Sequence, residues 1–158
     1  MKFYLLVLIL ISCSCVDKKN ETVRYGNTHN DWLANYPRPN DFTPLSLIEK
    51  LKTDTSKGGL TMVDEFPPSW VTLQDIEKLI PLISSKQSCK CLVNPYSSNL
   101  PKANSDVGGY AILFINSYRN RAKIEIGLYK CITTNEQDVN EILVWWKDFK
   151  NKPLADRR

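Results

Sequence analysis

The sequence predicts a mainly α fold: one small domain of about four to five short stacked helices, with at most a minor two-stranded ribbon. Three observations predict it. Apolar residues recur at helical spacing in the segments that begin near Leu45, Leu73, Val107 and Val139. A residue able to cap a helix N-terminus stands just ahead of each: Thr43, Thr72, Ser105, and Thr133 or Thr134. Strict alternation, the period of a half-buried strand, is confined to residues 122–128.

The chain opens on MKFYLLVLILISC. Lys2 supplies a positive start, residues 3–11 an unbroken apolar run, and Ser12 a small residue ahead of Cys13. A secretory signal has this order, with an apolar stretch of about 7 to 15 residues. Ser12, Cys13, Ser14 and Cys15, then Asp17, Lys18 and Lys19, end the run. A membrane-crossing helix needs about 20 apolar residues. The Leu10-Ile11-Ser12-Cys13 tetrad resembles a lipobox, in which the signal is cut before a cysteine carrying a diacylglycerol thioether. The resemblance implies a signal peptide at 1–12, lipidation of Cys13, and a tether from the membrane at 13–40. Cys15 is the weaker acceptor, because it would put Ser12 where an apolar residue is usual. Each buried acyl CH₂ contributes about 0.8 kcal/mol, so two or three chains anchor far better than one. Ser14, rather than an aspartate, after Cys13 resembles the pattern for export to the outer membrane, on its periplasmic face or at the cell surface.

Residues 14–40 are polar and broken by Gly26, Asn27, Asn30, Pro37 and Pro39. Trp32, Leu33 and Tyr36 are expected to dock on the domain, which spans 41–151. Thr43 caps a helix over 44–52, with Pro44 at the first helical position, where its missing N–H costs nothing. Asp54, Ser56, Gly58 and Gly59 end it. Leu60, Met62 and Phe66 should pack beneath the domain, while Pro67 and Pro68 forbid regular structure beyond them. Thr72 with Asp75 opens the second helix, whose stripe is Leu73, Ile76, Leu79, Ile80 and Ile83. Pro81 should kink or split it. Residues 89–93 are read as a short helix limited by Asn94-Pro95.

Ser105 is read as the cap of the most apolar helix, where Val107, Tyr110, Ala111, Phe114 and Tyr118 share a face. This helix is the expected centre of the core. Gly108 and Gly109 leave bare backbone for close approach of a neighbouring helix. Ile124, Ile126 and Leu128 alternate with polar residues, and the segment around Leu60 is the only evident strand partner. The last helix should bury Val139, Ile142, Leu143, Trp146 and Phe149, with Trp145 at the edge of that face. Residues 152–158 form a basic tail.

A net charge of +4 with no basic run of five residues argues against a nucleic-acid partner. Cys89, Cys91 and Cys131 would meet an oxidising envelope, and a disulfide between Cys131 and either Cys89 or Cys91 is expected. Cys-x-Cys is a poor zinc signal, because a structural site wants four ligands and the sole histidine, His29, lies in the tether. No metal and no cofactor are expected. His29 also leaves the domain without a Ser/His or Cys/His dyad. Asp64 and Glu65 are adjacent carboxylates, and adjacency alone does not make a general acid and base. Trp145, Asp64 and Glu65 are therefore read as a candidate binding surface.

Gly58-Gly59-Leu60, Trp70-Val71-Thr72 with Asp75, residues 79–83, Gly108-Gly109-x-Ala111 through Tyr118-Arg119, and Ile142-Leu143-x-Trp145-Trp146 together resemble a family of small lipoproteins of Bacteroidetes-type bacteria that share a domain of unknown function. Gly109 beside Ala111 is also similar to HEAT-like helix pairs, which implies stacked short helices. The expected function is a non-enzymatic, lipid-anchored envelope protein that binds another envelope protein or surface component. An immunity or inhibitor protein against an exported toxin is the alternative expectation.

Overall fold

A computed structural model describes residues 31–153. The expected signal peptide, the lipidation site at Cys13, the tether as far as residue 30 and most of the tail lie outside the described residues.

Thr43 and Ser46 cap each other reciprocally at the start of α1 (Pro44–Thr53), which buries Leu47, Ile48 and Leu51. Thr72 and Asp75 do the same for α2 (Leu73–Leu79). Pro81 cannot continue an α-helical ladder, and the chain passes at Ile80 into a 3-10 turn, Ile80–Leu82. The two later helices start one residue or more beyond the caps expected for them. Asp106, not Ser105, caps α3 (Val107–Asn120), and Asn135, not Thr133 or Thr134, caps α4 (Glu136–Asn151).

The mainly α expectation is corrected: the fold is mixed α/β. Besides the helices, the described residues form strands β1 (Leu60–Thr61), β2 (Ser88–Cys89), β3 (Leu92–Val93), β4 (Ser105–Asp106) and β5 (Tyr129–Lys130). One sheet has the order β1-β3-β5, with β3 parallel to β1 and antiparallel to β5; β2 and β4 pair antiparallel in a second. Residues 89–93, expected as helix, thus supply parts of both sheets. The segment is too short for a helix between its turn and Asn94-Pro95. Its apolar end, Leu92 and Val93, is fully buried, as a strand covered on both faces must be. The alternating segment meets its neighbour at a single bridge, Ile124 with Phe66. Ile124 and Ile126 are buried there and Leu128 is exposed.

The helices do not stack in HEAT-like pairs either. Helices α1, α2 and α4 all pack on α3, whose residues Tyr110, Ala111, Phe114 and Ile115 are completely buried. The Tyr110 hydroxyl donates to the carbonyl of Lys130 at 2.8 Å and accepts from the N–H of Leu92 at 2.9 Å, joining the helix to β3 and β5. Buried Asp106 accepts from the N–H of Gly109 at 2.7 Å and from both the N–H and the hydroxyl of Thr134. Its partners satisfy the carboxylate's oxygens, which is the condition for burying one.

Of the segment ahead of α1, Pro37, Pro39 and Phe42 are hydrogen-bonded to the domain through their carbonyls. Trp32 makes edge-on ring contacts with Tyr36 and Tyr96. The Trp70 indole N–H is shared between the carbonyls of Pro39 and Phe42 at 2.9 and 3.1 Å.

Candidate functional site

The C-terminal half of α4 carries Trp145, Trp146 and Phe149. Trp146 and Phe149 stack at 5.6 Å, and Trp145 lies 5.3 Å from Phe149, so the three rings make one rigid cluster. Phe149 is buried against α3, and both tryptophans are half-buried. Leu143, expected in the buried stripe, is 45% exposed, and Val144 is 63% exposed. The helix therefore shows water an apolar strip beside its rings.

Arg119, in the last turn of α3, places its guanidinium 5.2 Å from the centre of the Trp145 ring. Cation–π attraction and the bond from its Nη1 to Asn116 Oδ1, at 3.0 Å, orient the fork. The chain then turns left-handed at Arg121, where φ is 49°, and the helix ends. That conformation sends the exposed Arg121 to the same side. Tyr118 closes the group with an edge-on contact to Phe149 at 6.5 Å.

Between these residues and the loop at Pro68 and Val71 lies an open cleft of about 470 Å³, to which Lys152 also contributes. Among the described residues, its charged lining side chains are Arg119, Arg121 and Lys152. Across Trp145 and Arg119 a second cleft, of about 620 Å³, is lined by Val144, Glu141 and Asp148. Arg119, Trp145, Phe149 and Lys152 belong to both, so the two clefts adjoin as one groove: Arg121 lines only the first, Glu141 and Asp148 only the second, and Arg119 and Lys152 stand where they meet. Ligand-sized pockets span about 300 to 1,000 Å³.

Of the residues singled out from sequence, Trp145 lies in this groove, and Asp64 and Glu65 do not line it. Asp64 occupies a left-handed turn, with φ of 70°, and pairs with Arg38 at 2.6 Å. Glu65 pairs with Lys123 at 2.8 Å, and Lys123 also holds Glu125. The two carboxylates thus serve separate surface ion pairs. Arg119, Arg121 and Tyr118 escaped the sequence reading of the site. Their pattern, Tyr118-Arg119 followed by Arg121, is visible in the chain, but only the crossing of α3 and α4 sets it beside Trp145.

The disulfide joins Cys91 to Cys131, with Cα atoms 4.7 Å apart. Cys89 is free and buried. Burial foremost, and the charge of Asp106 next, push its thiol up to about 12, with Lys52 opposing. The thiolate is the reactive form, so this sulfur is a packing group at neutral pH. Among the described residues, no His, Cys, Asp and Glu side chains gather as a metal site, and no helix is long and apolar enough to cross a membrane. No protein-family model, curated protein or solved structure matches the chain.

Proposed function

We propose that this protein is a lipid-anchored lipoprotein of the cell envelope, akin to the small lipoproteins its sequence resembles, with a non-enzymatic binding role. Residues 1–12 direct export, Cys13 carries the lipid, and the domain presents the groove between α3 and α4 to a partner. The observation that carries the binding role is the groove at Arg119 and Trp145: an oriented guanidinium on a rigid aromatic platform, open to solvent. Tryptophan and arginine are the residues most often found to dominate binding energy at interfaces. Cys91 is tied in a disulfide and Cys89 lies in the core, while Asp64 and Glu65 are held by Arg38 and Lys123.

Mass spectrometry of the N-terminal peptide tests the anchor, with a diacylglyceryl-modified Cys13 as the expected result. A photo-reactive residue in place of exposed Val144 tests the groove in intact cells. It should cross-link one specific partner that the same residue in place of Lys78 does not. An unmodified N-terminus elsewhere removes the anchored reading, and equal labelling from both positions removes the groove.

A further inference from the structure

We infer that the groove binds a short peptide segment of another protein, with acidic residues at its Arg119 and Arg121 end and apolar followed by basic residues at its Val144 and Asp148 end. This deepens the binding role proposed above and rests on it. The argument is the gradient of charge along the groove, from Arg121 at one end, past the shared Arg119 and Lys152, to Glu141 and Asp148 at the other. In the first cleft the lining side chains that carry charge are Arg119, Arg121 and Lys152, on a floor of Val71, Tyr118 and Phe149. Arg119 lies against Trp145 and uses one Nη1 bond on Asn116, and a guanidinium carries five N–H donors, so others remain for a carboxylate in the cleft it lines. Arg121 projects from the end of α3 and makes no ion pair among the described residues.

Beyond Trp145 the groove meets Glu141 and Asp148 with exposed Val144 between them. A uniform polyanion, such as nucleic acid or an anionic bilayer surface, would meet those carboxylates as soon as it left the arginines. Like-charge contact of that kind is how interfaces reject wrong partners. A peptide can change its charge within three or four residues, and an extended residue advances about 3.3 Å. A segment of five or six residues therefore follows the groove from Arg121 to Glu141 and Asp148. The Trp145 ring at the midpoint is already in contact with the Arg119 guanidinium and, tilted, with Phe149, which leaves less of it for a stacked base than for an aliphatic side chain.

Calorimetric titration of the full-length chain in neutral detergent tests this. One hexapeptide carries three acidic residues followed by Leu-Val-Lys, and a second carries the reversed charges. A single-stranded oligonucleotide and phosphatidylglycerol vesicles complete the probes. Saturable binding of the first peptide alone is expected. Arg119→Gln and Arg121→Asn should each weaken it about tenfold or more, the size expected for losing a charge-assisted hydrogen bond. Asparagine tolerates the left-handed conformation at 121, so the second variant keeps the helix end intact. Glu141→Lys should weaken the same peptide, whose lysine faces it, and improve the reversed one. Binding that ignores these variants overturns the inference, as does preference for the oligonucleotide, the vesicles or the reversed peptide. If a partner cross-links from position 144 but the acidic peptide does not bind, the groove stands as a binding site and its ligand class is wrong.

Discussion

A Cβ added at Gly108 would lie 2.3 Å from Thr134 Oγ1, 2.5 Å from the carbonyl oxygen of Ile83 and 2.8 Å from that of Ser85. Two of those atoms are backbone, so they cannot rotate away. Gly108→Ala should therefore cost about 3 kcal/mol or more, the upper end of overpacking effects. Gly127 is the control, because its Cβ would meet nothing within 4 Å and only its φ of +65° resists substitution. Gly127→Ala should cost roughly 1 to 2 kcal/mol, and urea unfolding of both variants compares them. The sequence marks Gly108 and Gly109 as places of close approach, but the approaching groups are the backbone of Ile83, Ser85, Ile132 and Thr133 with the Thr134 side chain, not a helix. Cys89 supplies a second prediction at this scale. Its thiol ordinarily titrates near 9.0 and is raised to about 12 by folding. The unfolded chain loses that proton first as pH rises, so the contribution to stability is full below about pH 9 and declines from there toward 12. Burial raises the Tyr110 hydroxyl too, which adds to the same alkaline loss. Unfolding midpoints should fall between pH 8 and 10.5, and Cys89→Ala should make the fall shallower. A flat profile that the variant leaves unchanged would contradict this account.

Strands of two residues cannot hold themselves, and each depends on what crosses it. The disulfide ties Cys91, just before β3, to Cys131, just after β5, across a separation of 40 residues. Closing so long a loop restricts the unfolded chain, and loss of such a bridge typically costs about 2 to 5 kcal/mol. Cys91→Ala with Cys131→Ala should lower stability by that amount in a denaturant series, while Cys89→Ala should cost less. The helices were legible at this scale because their signals are local. Thr43 with Pro44, Thr72 with Asp75, and the stop at Pro81 each act within one or two turns. The later caps were misplaced because Ser105 and Thr134 are good capping types used for something else. Ser105 lies in β4 and accepts from the N–H of Ile132 at 3.0 Å, and Thr134 gives its hydroxyl to Asp106. Asn135 and Asp106 take the caps instead.

Across the whole molecule, the segment leading into α1 is part of the core's closure. The N–H of Val63 donates to the carbonyl of Pro37 at 3.1 Å, Arg38 pairs with Asp64, and buried Pro39 lies over Trp70, whose ring packs 4.5 Å from Phe66 and 5.1 Å from Phe114. A chain beginning at residue 31 should melt close to the full chain, whereas one beginning at 43 should lose about 2 kcal/mol or more, since both acceptors of the Trp70 N–H go with it. Calorimetric melting of the two truncations makes the comparison. Equal melting would place the domain's start at α1, where the sequence alone puts it. What the sequence by itself determined is local: the presence of α1 to α4 and most of their buried faces, the burial of Ile124 and Ile126, and the three cysteines from which one bridge is drawn, though it also put a helix at residues 89–93 where the chain forms strands. Tertiary structure alone decided that the fold is mixed α/β, that Cys91 and not Cys89 meets Cys131, and that Arg119 and Arg121 stand beside Trp145. The physical reason is range. A cap or a helical stripe is stabilised by residues three or four positions away, while β3 exists only because Leu60 and Lys130 come to either side of Leu92, and the groove exists only because α4 packs across the end of α3.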